Sequence, residues 1–227
     1  MNDILATLWN DALTVGLVLA LAFSLIALRR GLRRQRELAR TDELTGLENR
    51  RAFYELAERE IGRAARYGKA FTVAYFDIDD FKQVNDRYGH AAGDAVLRLA
   101  ADTARKTIRA SDAVARLGGD EFAILLHETT AAASETVIRK LQTAVRNSVL
   151  VNGSAMTVSL GAVTCLEAPD TVDALLRSAD ELLYAAKRAG KDRSRHRVLG
   201  PPPSRPWEGD MPLAASRISS VADARGR

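Results

Sequence analysis

The stretch ARLGGDEFAILL, Ala115 to Leu126, limits the fold more than any other part of this 227-residue chain. Two glycines stand between two apolar, β-prone runs, which is a short-range signal for a tight antiparallel hairpin, because such turns need positive φ. That accounts for Gly118 and Gly119. It leaves Asp120 and Glu121 unexplained, since carboxylates beside a core cost free energy unless something positive neutralises them.

The neighbouring sequence supplies a sheet and helices for that hairpin. Residues 70–78 (AFTVAYFDI) form a nearly continuous apolar run of strand length, as in a central strand covered on both faces. Before it, Leu-Thr-Gly-Leu in TDELTGLENRR breaks any helix, and Asn49 can cap the next one, whose apolar positions include Phe53, Leu56 and Ile61. Helices are expected over about 91–109, 131–147 and 171–189, a strand over 155–165, and a short strand near 195–199. The core order is strand, helix, two hairpin strands, helix, strand, helix. Helices on a mixed sheet with a central hairpin make an α/β fold of the ferredoxin-like or palm type. Tyr75, Phe76, Phe81 and Tyr88 read as core or pocket-wall residues.

Composition enters through charge. The formal net charge is +4, but residues 29–40 (RRGLRRQRELAR) alone carry six arginines and one glutamate. The rest of the chain is therefore near neutral, and it has no basic stripe with interleaved aromatics, so no nucleic-acid partner is expected. Ala12 to Leu28 precede those arginines as 17 residues without a charge. As a helix they extend roughly 25 Å, the short end of what crosses a bilayer. Asp3 and Asp11 lie before the segment and the arginines after it, which places the C-terminal side in the cytoplasm. The expected organisation is a transmembrane segment (1–28), an Arg-rich juxtamembrane helix (29–40), one globular domain (41–199) and a Pro/Gly-rich disordered tail (200–227). The expected location is the inner (cell) membrane, single-pass, with the globular domain cytoplasmic. One cysteine, Cys165, excludes an internal disulfide, and His90, His127 and His196 have no zinc-like spacing.

A second acidic cluster follows the 70–78 strand in FDIDDFKQVNDRYGHAAGD, with Asp77, Asp79 and Asp80 at the strand end. Ligands commonly sit beyond strand ends in open α/β sheets. If that strand lies beside the hairpin, Asp77 converges with Asp120 or Glu121. Such a site suits magnesium, which takes a few hard oxygen ligands and lets substrate phosphates complete its shell.

Five ordered blocks, DELTGLENRR, FDIDDFKQVNDRYGHAAGD, RLGGDEF, TVSLGAV and ADELLYAAKRAGKDR, make residues 40–193 resemble a GGDEF domain, the catalytic module of diguanylate cyclases. The resemblance implies a palm-like fold and condensation of two GTP into cyclic di-GMP with release of pyrophosphate, between two domains of a homodimer. It implies that Asp77, the carbonyl of Ile78 and Asp120 hold Mg²⁺, or Mn²⁺ in its place, with Glu121 supporting the metal and catalytic centre. Asn85 and Asp94 match guanine-recognising positions, and Lys82, Lys187 and Lys191 match or lie near phosphate-contacting ones. Gly118 and Gly119 would let GTP approach the backbone. Arg109 and Asp112 match the family's product-inhibition site, an Arg-x-x-Asp five residues before the Gly-Gly turn. A second match, Arg177 to Asp180, reads as part of an ordinary helix. Lys191 stands where the family often has Arg, and Asp192 where it often has Asn. The alternative function is a catalytically silent GGDEF-like domain that binds GTP or cyclic di-GMP as a sensor.

Overall fold

A computed structural model describes residues 21, 23–28 and 39–200. Most of the expected membrane segment, residues 29–38 of the Arg-rich helix and the tail beyond residue 200 lie outside the described residues. Among those described, no helix is long and apolar enough to cross a membrane. Leu21 and residues 23–28 are helical, and Leu21, Phe23, Leu25, Ile26 and Leu28 are exposed.

In chain order the elements are β1 (Glu48–Asn49), α1 (Arg50–Tyr67), β2 (Phe71–Ile78), α2 (Phe81–Tyr88) and α3 (His90–Thr107). There follow β3 (Ala113–Gly118), β4 (Glu121–Leu126), α4 (Ala131–Ser148), β5 (Leu150–Val151) and β6 (Ser154–Ala155). β7 (Val158–Cys165), α5 (Val172–Arg188) and β8 (Ser194–Leu199) complete the domain. The main sheet has the order β1-β3-β4-β2-β7-β8. β2 runs antiparallel to β4 and β7, β3 antiparallel to β4, and the outer β1 and β8 run parallel to their neighbours. Its centre is the split βαβ arrangement expected from the element order.

Strand alternation sends the two faces of β2 into separate cores. Ala74, Phe76 and Ile78 face a cluster completed by Val84 of α2, Leu97 and Ala100 of α3, and Leu141 of α4. Val73 and Tyr75 face the other cluster with Phe53 of α1 and Leu175, Ala179 and Leu183 of α5. All eight residues of β2 and all eight of β7 are buried, so neither strand shows the polar alternation of a half-exposed one. Phe76 stacks on Phe122 across the β2–β4 pair with ring centroids 4.9 Å apart. Tyr88, by contrast, is exposed, with the Arg87 guanidinium over its ring.

Local signals explain most boundaries. Asn49 caps α1 by accepting from Ala52 N, Thr130 caps α4 and Thr171 caps α5. The expected 155–165 strand is two pieces, because Asn152-Gly153, both at positive φ, makes a two-residue hairpin of β5 and β6. α2 was not expected: eight residues with one buried side chain, Val84, leave too weak a periodicity.

The Gly-Gly turn also differs from its expected register. Gly118 pairs with Glu121, so Gly119 and Asp120 are the two turn residues, and a bulge between Arg116 and Gly118 absorbs the shift. Gly119 carries the left-handed φ of +52°. Asp120 is thereby placed at the tip of the hairpin.

Candidate functional site

The β2–β4 register places Asp77 directly opposite Glu121. Opposed residues of an antiparallel pair point to the same face, here the α1/α5 side. The Asp77 carboxylate is buried and receives Lys187 Nζ from the last turn of α5 at 2.7 Å. Burial pushes its pKa up to about 6; the Lys187 hydrogen bond opposes this, and the charges of Asp120 and Asp79 add to it. Asp120 is thus near enough to repel Asp77. The negative charge of the two carboxylates is offset in part at Asp77 by the Lys187 ammonium.

α5 reaches that point because Gly161 of β7 lets it approach. A Cβ there would lie 1.9 Å from the Ala179 carbonyl oxygen and 2.4 Å from Leu183 N. The glycine of TVSLGAV is therefore a contact between helix backbone and sheet.

The turn is also braced by residues of the loop before β1, of α1 and of β2 and β3. Asp42 accepts from Thr45 N and Thr45 Oγ1, which closes the loop before β1, and it pairs with Arg116 Nη1 at 3.1 Å. Arg116 Nε donates to the Gly119 carbonyl at 2.9 Å. Arg50, in the first turn of α1, donates from Nε to the Leu117 carbonyl at 3.1 Å, with its Nη2 3.9 Å from Glu121 Oε2. Tyr75 donates its hydroxyl to that same oxygen at 2.9 Å.

Beyond the strand end, the three aspartates separate by role. Asp79 is buried and accepts from Thr157 Oγ1, Ser159 Oγ and Asp192 N, so its oxygens are committed to holding the loop before β8. Asp80 pairs with Lys191 Nζ at 2.7 Å. Asp80, Lys191 and Asp192 all have left-handed φ, between 47° and 59°. Such strain in non-glycine residues persists only where surroundings enforce it, and it concentrates at functional sites. Asp192 also forms an ion pair with Arg146 of α4.

Asn85 of α2 and Asp94 of α3 are brought together through Gly93. A Cβ on Gly93 would lie 2.0 Å from Asn85 Oδ1, so the amide rests on the bare α-carbon beside Asp94. Lys82 is exposed on α2. Arg109 and Asp112 stand apart from all of these, at the end of β3 away from the turn. There Asp112 accepts from Arg109 N at 3.1 Å and from His127 N at 3.2 Å, while the Arg109 side chain is exposed. Arg177 to Asp180 lie within α5, as expected of an ordinary helix.

The sequence-expected carboxylates, turn glycines and the two C-terminal lysines therefore gather at one end of the sheet. Asp77 and Asp120 offer hard oxygens at a point that already attracts a cation, which fits a divalent ion such as Mg²⁺. Among the described residues no three His, Cys, Asp or Glu side chains cluster tightly enough to hold a metal alone. Sequence reasoning missed the roles of Arg50, Tyr75, Asp42 and Arg116, which come from pairings 46 to 74 residues apart that no local signal reveals.

The diguanylate cyclase, GGDEF domain family model matches residues 39–193. The chain is 41% identical over 161 residues to diguanylate cyclase DgcP of Pseudomonas aeruginosa, covering 70% of this chain and 24% of that protein. It is 40% identical over 171 residues to diguanylate cyclase TpbB of the same species, covering 72% of this chain and 39% of TpbB. It thus spans between about a quarter and two-fifths of the length of these relatives. The coiled coil and GGDEF domain of DgcB from Caulobacter crescentus, solved with c-di-GMP, superposes with a TM-score of 0.67 at 31% identity, covering 77% of this chain and 94% of that one. With its sheet order, its paired strand-end acids and this match over most of its length, the chain belongs to the diguanylate cyclase GGDEF-domain family.

Proposed function

We propose that the protein is a diguanylate cyclase that condenses two GTP into cyclic di-GMP and two pyrophosphates, between two copies of its GGDEF domain. The observation that carries this is Asp77 opposite Glu121 in register, with the charge of Asp120 bearing on the same point. Asp77, the Ile78 carbonyl and Asp120 would hold Mg²⁺ or Mn²⁺, with Glu121 supporting them. A divalent ion bound there supplies Lewis acidity: it lowers the pKa of an attacking 3′-hydroxyl and offsets phosphate charge.

The chain's own residues do the rest. Lys187 leaves Asp77 and turns its ammonium to the triphosphate, while Lys191 offers a second point charge from its constrained loop. Lys82 adds a third on α2. Asp94 accepts from the guanine N1–H and amino group, and Asn85 both donates and accepts. Gly118 and Gly119 have nothing within 4 Å of a would-be Cβ, which leaves the turn backbone open to a nucleotide. The 3′-oxygen of one GTP forms a bond to the α-phosphorus of the other as the bond to pyrophosphate breaks, and the reciprocal attack closes the ring. Each domain holds one GTP, so pairing of two domains is part of the reaction and removes much of its entropic barrier.

Arg109 and Asp112, at the far end of β3, form the proposed product-inhibition site, where bound cyclic di-GMP holds domains in an unproductive pairing. The apolar segment ending at Leu28 tethers the domain to the inner membrane on its cytoplasmic side; the exposed Leu21, Phe23 and Leu28 support that reading. The test is incubation with GTP and Mg²⁺ and chromatography of the products. Cyclic di-GMP is expected from the wild type, and Asp120→Asn should lose it. Nucleotide binding without product at high protein concentration would favour the silent sensor instead.

A further inference from the structure

Glu121 is the exposed member of the acidic pair, with 44% of its side chain accessible. An unrestrained glutamate there would sample several rotamers, each presenting a different oxygen. Two groups prevent this, and both act on Oε2. Tyr75 donates to it at 2.9 Å, and the Arg50 guanidinium stands 3.9 Å away.

Neither donor is itself loose. The Tyr75 ring is 8% exposed, and its register neighbours are Ala123 on β4 and Gly161 on β7. Small residues on both sides give the phenol room beside the sheet, while the second core holds it in place. The phenol O–H is the donor in this pair, because a carboxylate oxygen can only accept. Arg50 is anchored by its Nε–Leu117 bond at 3.1 Å. With Oε2 held by Tyr75 and Arg50, Oε1 is the oxygen left for a cation or substrate.

We propose that Tyr75, assisted by Arg50, is a positioning residue that fixes the Glu121 carboxylate in the orientation needed for divalent-metal binding. This rests on the reading of the site as a metal-dependent cyclase centre. Tyr75 acts through Glu121, by freezing its side chain. The hydroxyl is the working part, because the ring alone satisfies the core.

Tyr75→Phe isolates that hydroxyl. Binding of Mn²⁺ alone to the full chain, followed by loss of the free-ion paramagnetic resonance signal, should weaken by about tenfold, the scale of one hydrogen bond to a charged group. The Mg²⁺ concentration for half-maximal rate should rise by a similar factor. KM for GTP at saturating Mg²⁺ and the melting temperature should stay close to wild type. In a Glu121→Gln background, Tyr75→Phe should add no further loss, since the coupling passes through Glu121. Equal Mn²⁺ binding by wild type and Tyr75→Phe overturns the proposal, as does an undiminished loss in the Glu121→Gln background. Because Mn²⁺ binding is read without turnover, a wild type that makes no cyclic di-GMP, with weakened Mn²⁺ binding in the variant, would sink the cyclase reading and leave this inference standing.

Discussion

Asp77 is the residue on which pH acts most directly. Its folded pKa, about 6, lies above its ordinary value of 3.8, so the folded state keeps a proton that the unfolded chain has lost. The stability it contributes is full below about pH 4 and is lost as pH rises through about 6. Asp77→Asn should therefore be more stable than the metal-free wild type at pH 7, by up to about 3 kcal/mol, with the gain reduced where Lys187 loses its partner. The difference should vanish near pH 4. Denaturant titrations of both proteins at the two pH values measure it. Mg²⁺ should restore stability to the wild type at pH 7 and not to the variant, because only the wild type has the second charge to bind it. At the same scale, burial pushes the Cys165 thiol up to about 12, so thiol reagents should label it only after unfolding.

At the scale of elements, two glycines decide whether helices reach the site. Gly161 sets the distance between α5 and β7, and the atoms a methyl group would strike are helix backbone. Backbone cannot rotate away, so Gly161→Ala should cost about 3 kcal/mol or more, and it should draw Lys187 off Asp77. Gly93→Ala is a different case. Its methyl would strike the Asn85 amide and the edge of Phe81, both side chains that can move. A smaller stability loss of about 1–2 kcal/mol is expected, with KM for GTP raised several-fold because Asn85 is displaced from beside Asp94. Thermal melts paired with GTP titrations separate the two outcomes.

For the whole molecule, the proposed reaction needs two domains, so specific activity should climb with protein concentration before it levels off. A specific activity constant down to nanomolar protein would show that pairing is either permanent or unnecessary. Arg109→Ala should leave initial rates nearly unchanged and weaken inhibition by added cyclic di-GMP about tenfold, through loss of a charged hydrogen-bonding fork. Equal inhibition of both proteins would make Arg109 a solvated helix-end residue. The full chain should sediment with membranes and resist alkaline wash; release by salt alone would indicate attachment through the arginines of residues 29–40.

Much of this was legible in the chain. A continuous apolar run revealed β2, the cap at Asn49 marked a helix start, and two acidic clusters, one at that strand's end and one at the hairpin, indicated one site. These signals are local, each set by propensity, periodicity or turn chemistry within a dozen residues. α2 and the β5–β6 hairpin were missed; the first is too short and polar to show a period, and the second turns on an Asn152-Gly153 pair that was not read as a turn signal. What the sequence could not decide was which atoms meet. Register determined that Asp77 faces Glu121 and that Asp120, rather than Gly118, occupies the turn. Helix-on-sheet packing at Gly161 delivered Lys187 to Asp77, and the depth of β2 in the second core turned Tyr75 from a core residue into a donor to Glu121. Those contacts join residues 46 to 110 positions apart, and a difference of one residue in register or of a methyl group in packing redirects them.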